Sequence, residues 1–219
     1  MAKARQIWKM EEFQPAATGG TLEDPFQEAR VTMPRSGEII AALRNAAREG
    51  SLSASFILGR LYDEGWGVGR NPRVATHWYL RAGEGGLPEA LYFVASAYYA
   101  GDGVARNQKR AIAWYKKAAA AGDRGADFAL AVAVLQGDGV RKDEAAGVRL
   151  LTTISRHDAD AMDYLACHYL KRGRFLLAKK WAVRAARSGH EFAQGRLAEI
   201  EKARSIHRTL DARKRERKR

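Results

Sequence analysis

The chain has a single cysteine, Cys167, among its 219 residues. One thiol can form neither an internal disulfide nor a multi-thiolate metal site, and its solitude suits the cytoplasm, the compartment we expect. Proline is as sparse, at five residues, and the 21 glycines show no short period, which excludes collagen-like and low-complexity chains. Long apolar runs are missing as well. The longest charge-free stretch, 90–101, like the apolar run 128–137, is well short of a membrane-spanning helix, so no span is expected. At the start, Lys3 and Arg5 lead only to Ile7 and Trp8 before Lys9, Glu11 and Glu12 intervene, and no secretory leader is legible.

The large aliphatic residues are few too. Leu, Ile, Val and Phe together make up just under a fifth of the chain, while 40 residues are alanine and the formal net charge is +13. In bulk, that combination belongs to chains too polar to build a core. What decides is how the alanines are arranged.

Set against itself at an offset of 36, the chain brings three copies of one pattern into register. Ala54, Ala90 and Ala126 align, as do Gly65, Gly101 and Gly137, then Gly67, Gly103 and Gly139, then Val68, Val104 and Val140. Asn71, Asn107 and Asp143 follow as candidate helix caps, and Gly50, Gly86 and Gly122 close the units. Trp78 recurs as Trp114, with Leu150 in the third copy. Each class has a physical task. Ala54, Leu58, Leu61 and Tyr62 form one apolar face of a first helix, and the Gly-x-Gly-Val segment breaks that helix while its valine turns back to the core. Asn71 and Pro72 start a second helix whose stripe is Ala75, Trp78, Tyr79 and Ala82.

The pattern over Ala54–Tyr79, repeated over Ala90–Ala121, closely resembles the Sel-one-like repeat (SLR), a relative of the tetratricopeptide repeat. The resemblance implies an all-α fold, a right-handed superhelical solenoid of antiparallel helix pairs. Its expected parts are an N-terminal extension over 1–36, a capping helix over 37–53 opened by Ser36, repeats over 54–89 and 90–125, a degenerate repeat over 126–160, a short repeat over 161–192 and a capping helix over 193–203. Residues 204–219 continue that helix into a basic tail. The paired cysteines of the cysteine-rich SLR branch are missing here, so activities of that branch are not carried over.

Several motifs invite a chemical reading that the repeat removes. Gly65-Trp66-Gly67-Val68-Gly69-Arg70 resembles a phosphate-cradling loop, yet it follows a helix and recurs at 101 and 137, as an interhelix turn does. Asp102 and Asp138 lack the ligand ladder of a calcium loop. The five histidines, at 77, 157, 168, 190 and 207, never form an i, i+4 pair, so no zinc spacing exists. Cys167 and His168 are neighbours on a helix and point about 100° apart, too divergent for a nucleophile and its base. Asp158 and Asp160 sit where carboxylates cap a helix. We therefore expect no enzyme, no cofactor and no metal.

The positions the repeat leaves unconstrained carry the functional expectation. Tetratricopeptide-type repeats line a concave groove with the first helix of each pair. Anchored on Leu58, that geometry assigns to the groove Phe56, Arg60 and Asp63, then Tyr92, Ser96 and Tyr99, then Phe128, Val132 and Leu135. Phe56, Tyr92 and Phe128 either anchor a protein or peptide partner or pack between successive first helices. The expected function is a non-catalytic adaptor. The alternative is nucleic-acid or ribosome association through Arg213, Lys214, Arg215, Arg217, Lys218 and Arg219, a run that binds anionic surfaces without base specificity or merely solubilises the chain. Residues 1–36 carry zero net charge and 201–219 carry +6. They read respectively as a lead-in, or a lid over the groove, and as the most basic segment.

Overall fold

A computed structural model describes residues 36–216, with side chains over 37–210. The N-terminal extension therefore falls outside the described residues, apart from Ser36, where the first helix begins. Arg217, Lys218 and Arg219 fall outside them too, and Arg213, Lys214 and Arg215 are described as helix backbone only.

The described residues form ten helices and no strand: α1 (Ser36–Arg48), α2 (Leu52–Glu64), α3 (Pro72–Glu84), α4 (Pro88–Ala100), α5 (Gln108–Ala120), α6 (Arg124–Gln136), α7 (Glu144–Ile154), α8 (Ala159–Lys171), α9 (Phe175–Arg187) and α10 (Ala193–Glu216). They divide into two compact units. The first runs to residue 141 without 134–136, and the second comprises 134–136 and everything from 142 onward.

In the first unit the helix ends follow from capping chemistry. Side chains of Ser51, Asn71, Asn107 and Asp123 accept from the backbone N–H three residues on, at 3.2, 3.2, 3.0 and 2.8 Å. Each satisfies one of the donors a helix start leaves unpaired. Gly65 and Gly101 close α2 and α4 at φ 77° and 85°, a left-handed conformation that costs glycine little. Past them the chain makes one long-range turn twice over. The N–H of Asn71 donates to Tyr62 O at 2.7 Å, and that of Asn107 to Tyr98 O at 2.8 Å.

The second glycine of the loop explains its own recurrence. A Cβ on Gly103 would lie 2.2 Å from Pro72 O, and one on Gly139 would lie 2.6 Å from Gln108 O. Each loop thus lies directly on the first turn of the second helix in the preceding repeat. Thr76 reinforces the first of these contacts, its hydroxyl donating to Asp102 O at 2.8 Å.

Alanine makes this close packing possible. Ala54, Ala75, Ala82, Ala90, Ala95, Ala111, Ala118 and Ala126 are all buried, interleaved with Leu58, Tyr79, Val94, Ile112 and Tyr115. Gly59 goes further, since a Cβ there would come within 2.5 Å of the Tyr79 ring. Val68 and Val140 turn back onto the apolar clusters, as the repeat pattern requires.

The second unit uses the same elements less regularly. Asp143 caps α7 and Asp158 caps α8 through Ala146 N and Ala161 N, at 2.8 and 3.1 Å. Leu151, which replaces the repeat's tyrosine, is fully buried, but Leu150, which replaces its tryptophan, is 45% exposed. Gly147 touches the last turn of α6, where a Cβ would come within 2.7 Å of Leu135 Cα. Leu165, Trp181, Ala182, Ala185, Ala193 and Ile200 build the core under α8, α9 and α10. Arg196 on α10 holds Asp163 on α8 with two hydrogen bonds, at 3.1 and 3.2 Å. Lys179 and Glu201 pair across α9 and α10 at 2.6 Å.

Candidate protein-interaction surface

Of the nine positions assigned to a groove, the structure buries Asp63, Tyr92, Ser96, Phe128, Val132 and Leu135, and leaves Phe56, Arg60 and Tyr99 half-buried. Tyr92 and Phe128, at 8% and 5% exposure, are packing residues in the helix layers. The Tyr92 ring lies 5.5 Å from that of Tyr115, inside the cluster that also holds Ile112 and Ala126. Phe56 contacts Phe93 at 5.4 Å, and Tyr79 stacks on Phe93 at 4.9 Å. The aromatic stripe is thus mostly interior. Tyr92 packs on Tyr115 of α5, Phe128 is buried, and Phe56 keeps an accessible edge.

Around that edge the structure gathers Trp66 and Phe93, which the groove assignment did not include, about Arg60, which it did. The Arg60 guanidinium lies 5.5 Å from the ring centres of both Trp66 and Phe93. Its Nη2 also reaches Glu64 Oε1, at 3.5 Å. Trp66, the variable residue between two loop glycines, is exposed. A cation flanked by two aromatic faces is the composition in which interface energy concentrates. The sequence carried one hint of it: the same loop position is Asp102 and Asp138 in the next two copies.

Beneath this patch lies Asp63. Its Oδ2 accepts a 3.3 Å hydrogen bond from the Tyr79 hydroxyl, while Oδ1 is buried with no hydrogen-bond partner. Burial, reinforced by the charges of Glu64 and Asp102, raises its carboxyl to about 6. Burial and the Asp63 charge push the Tyr79 phenol up in turn. One repeat later the arrangement is resolved differently. Tyr99 occupies the position of Asp63, and its hydroxyl donates to Asp138 Oδ2 at 2.7 Å.

In the second unit Asp163, Cys167 and Leu170 hold the equivalent positions. Asp163 is bound by Arg196, and Cys167 is half-buried. His168 is buried, its Nδ1 3.3 Å from an Arg172 nitrogen and its Nε2 3.5 Å from a Glu144 oxygen. Burial and the Arg172 charge hold its imidazole below the ordinary range. Among the described residues no group of three or more His, Cys, Asp or Glu could hold a metal ion. No helix there is long and apolar enough to cross a membrane.

Known proteins agree with this architecture. The family model for the Sel1 repeat matches four times, over residues 52–87, 88–123, 125–155 and 159–190. A protective antigen of uropathogenic Escherichia coli strains, solved as an SLR fold, is similar at 29% identity and a TM-score of 0.59, over 74% of this chain and 36% of that one. A Sel1 repeat protein from Oxalobacter formigenes is similar at 26% identity and a TM-score of 0.56, over 68% of this chain and 61% of that one. The chain thus spans about a third of the first structure and three-fifths of the second. No curated protein matches it. With helix pairs in the expected register and four matches across its length, the chain belongs to the Sel1 repeat family.

Proposed function

We propose that this chain is a non-catalytic scaffold that holds a segment of a partner protein against the first helices of its repeats. The Sel1 repeat fold generally serves protein interaction, and the observation that carries the proposal is the accessible cluster of Phe56, Arg60, Trp66 and Phe93. Arg60 and the exposed edges of Phe56 and Tyr99 make the contact. Asp63, Tyr92, Ser96, Phe128 and Val132 are buried and stand outside that contact. Repeats over 54–89, 90–125, 126–160 and 161–192, with α1 and the start of α10 as caps, are the proposed organisation, and the cytoplasm is the proposed compartment.

Affinity capture with the full chain, followed by mass spectrometry, tests this against the double variant Arg60→Ala, Trp66→Ala. A protein retained by the wild type and lost by the variant, with helical circular dichroism unchanged, is the expected outcome. An identical set of captured proteins from both would defeat the proposed surface.

A further inference from the structure

A second surface lies far from the first in the chain, where α9 begins and α10 continues. α10 is 24 residues long, against 13 in each of α8 and α9. Its first half is anchored, with Ala193 and Ile200 buried at 0% and 1%. From Ser205 to Leu210 every residue is exposed. Two of these are large and apolar, Ile206 and Leu210, at 52% and 48% exposure, one turn apart on the helix. At the start of α9, Leu176 is 72% exposed.

Between the two helices is a cleft of about 470 Å³ lined by Phe175, Leu176, His207 and three arginines, Arg174, Arg204 and Arg208. Among the described residues no carboxylate lines it. The nearby acids Glu199 and Glu201 are already paired, with Arg196 and Lys179 at 2.6 Å each. The described lining therefore sets apolar side chains, Phe175, Leu176 and Leu177, beside three cations.

We propose that this cleft receives an acidic amphipathic helix from a partner protein, its apolar face on Leu176 and Leu177 and its carboxylates toward Arg174, Arg204 and Arg208. Charge complementarity selects the occupant. A second copy of this chain would bring its own arginines against the same rim. A nucleic acid would satisfy the arginines but leave the leucines in water, and the one aromatic ring of the cleft, Phe175, is already packed 5.5 Å from His207. A helix fits because a cleft between two helices presents ridges and grooves that a third can fill.

The test uses the full chain and a labelled synthetic peptide of about 18 residues, with leucine every third or fourth position and glutamate between, followed by fluorescence anisotropy. We expect it to bind at least about tenfold more tightly than a scrambled peptide of the same composition or a lysine-for-glutamate version. Leu176→Ser, and separately Arg204→Glu with Arg208→Glu, should each weaken it about tenfold with the melting curve unchanged. Arg60→Ala with Trp66→Ala should leave it unaffected, which separates this surface from the groove. Equal binding of the scrambled peptide, or indifference to the leucine variant, would overturn the proposal. So would failure of the peptide to bind at all. Displacement of the peptide by oligouridine, with oligouridine binding insensitive to the leucines, would assign the cleft to nucleic acid instead.

Discussion

At the scale of single residues the sharpest departure from surface chemistry is Asp63. Its carboxyl is raised from 3.8 to about 6, so the folded state binds that proton more tightly than the unfolded chain does. The stability it contributes is fully present below about pH 3.8 and is lost as pH rises through about 6. The bound on this effect is about 3 kcal/mol, at 1.36 kcal/mol per unit. Urea unfolding between pH 4 and pH 8 should show the wild type losing stability relative to Asp63→Asn across that window. Parallel curves would mean that Asp63 is solvated. Aromatic residues divide equally clearly. Tyr92→Ala or Phe128→Ala should each cost about 3–5 kcal/mol, because both side chains are buried. Trp66→Ala should stay within about 0.5 kcal/mol, as a surface change does. Chemical denaturation of the three variants checks the contrast, and a Tyr92→Ala chain as stable as wild type would return that residue to the groove.

At the scale of elements, the loops and caps determine where each helix begins and ends. Gly103 combines φ 73° with a Cβ path blocked by Pro72 O at 2.2 Å. Gly69, in the equivalent loop one repeat earlier, has nothing within 4 Å of the same added atom. Gly103→Ala should therefore destabilise by about 2–4 kcal/mol, and Gly69→Ala by less than about 1 kcal/mol. Thermal melts of the pair decide it, and equal shifts would remove the steric account of the second loop glycine. Asn107→Ala, which removes the 3.0 Å cap on α5, should cost about 1 kcal/mol on the same assay.

Over the whole molecule the dominant quantity is charge. A net +13 repels itself in the folded state, while the ion pairs resolved between helices, such as Arg196 with Asp163 and Lys179 with Glu201, pull the other way. Repulsion acts over the whole chain and is screened first as salt rises, because the Debye length falls from about 30 Å at 0.01 M to about 8 Å at 0.15 M. The melting temperature should rise by a few degrees over that range. A fall would show that the pairs outweigh the repulsion. The same excess of cations is uneven along the chain, with +6 in residues 201–219.

The sequence by itself determined the repeat, the helix pairs and most of their ends. These depend on local chemistry: a cap at Asn71 or Asn107, a left-handed glycine at Gly65 or Gly101, small residues at a fixed spacing. Such features act within a turn or two of chain, so they recur visibly at 36 residues. The starts of α2 and α6 were less plain, because Ser51 and Asp123 vary in type and stand outside the motif that announces each repeat. Only the tertiary structure decided which aromatics face outward. Phe56, Tyr92 and Phe128 are equivalent in sequence, yet their burial depends on the neighbour each one meets: Phe93 beside Phe56, Tyr115 beside Tyr92. Trp66 became a candidate contact residue because Arg60 reaches it across a loop. Leu176 read as an ordinary helix residue until folding set it in one cleft with Arg204 and Arg208 of α10. Exposure and charge pairing are properties of neighbours distant in sequence, and a repeat pattern, which reports only what is locally the same, does not contain them.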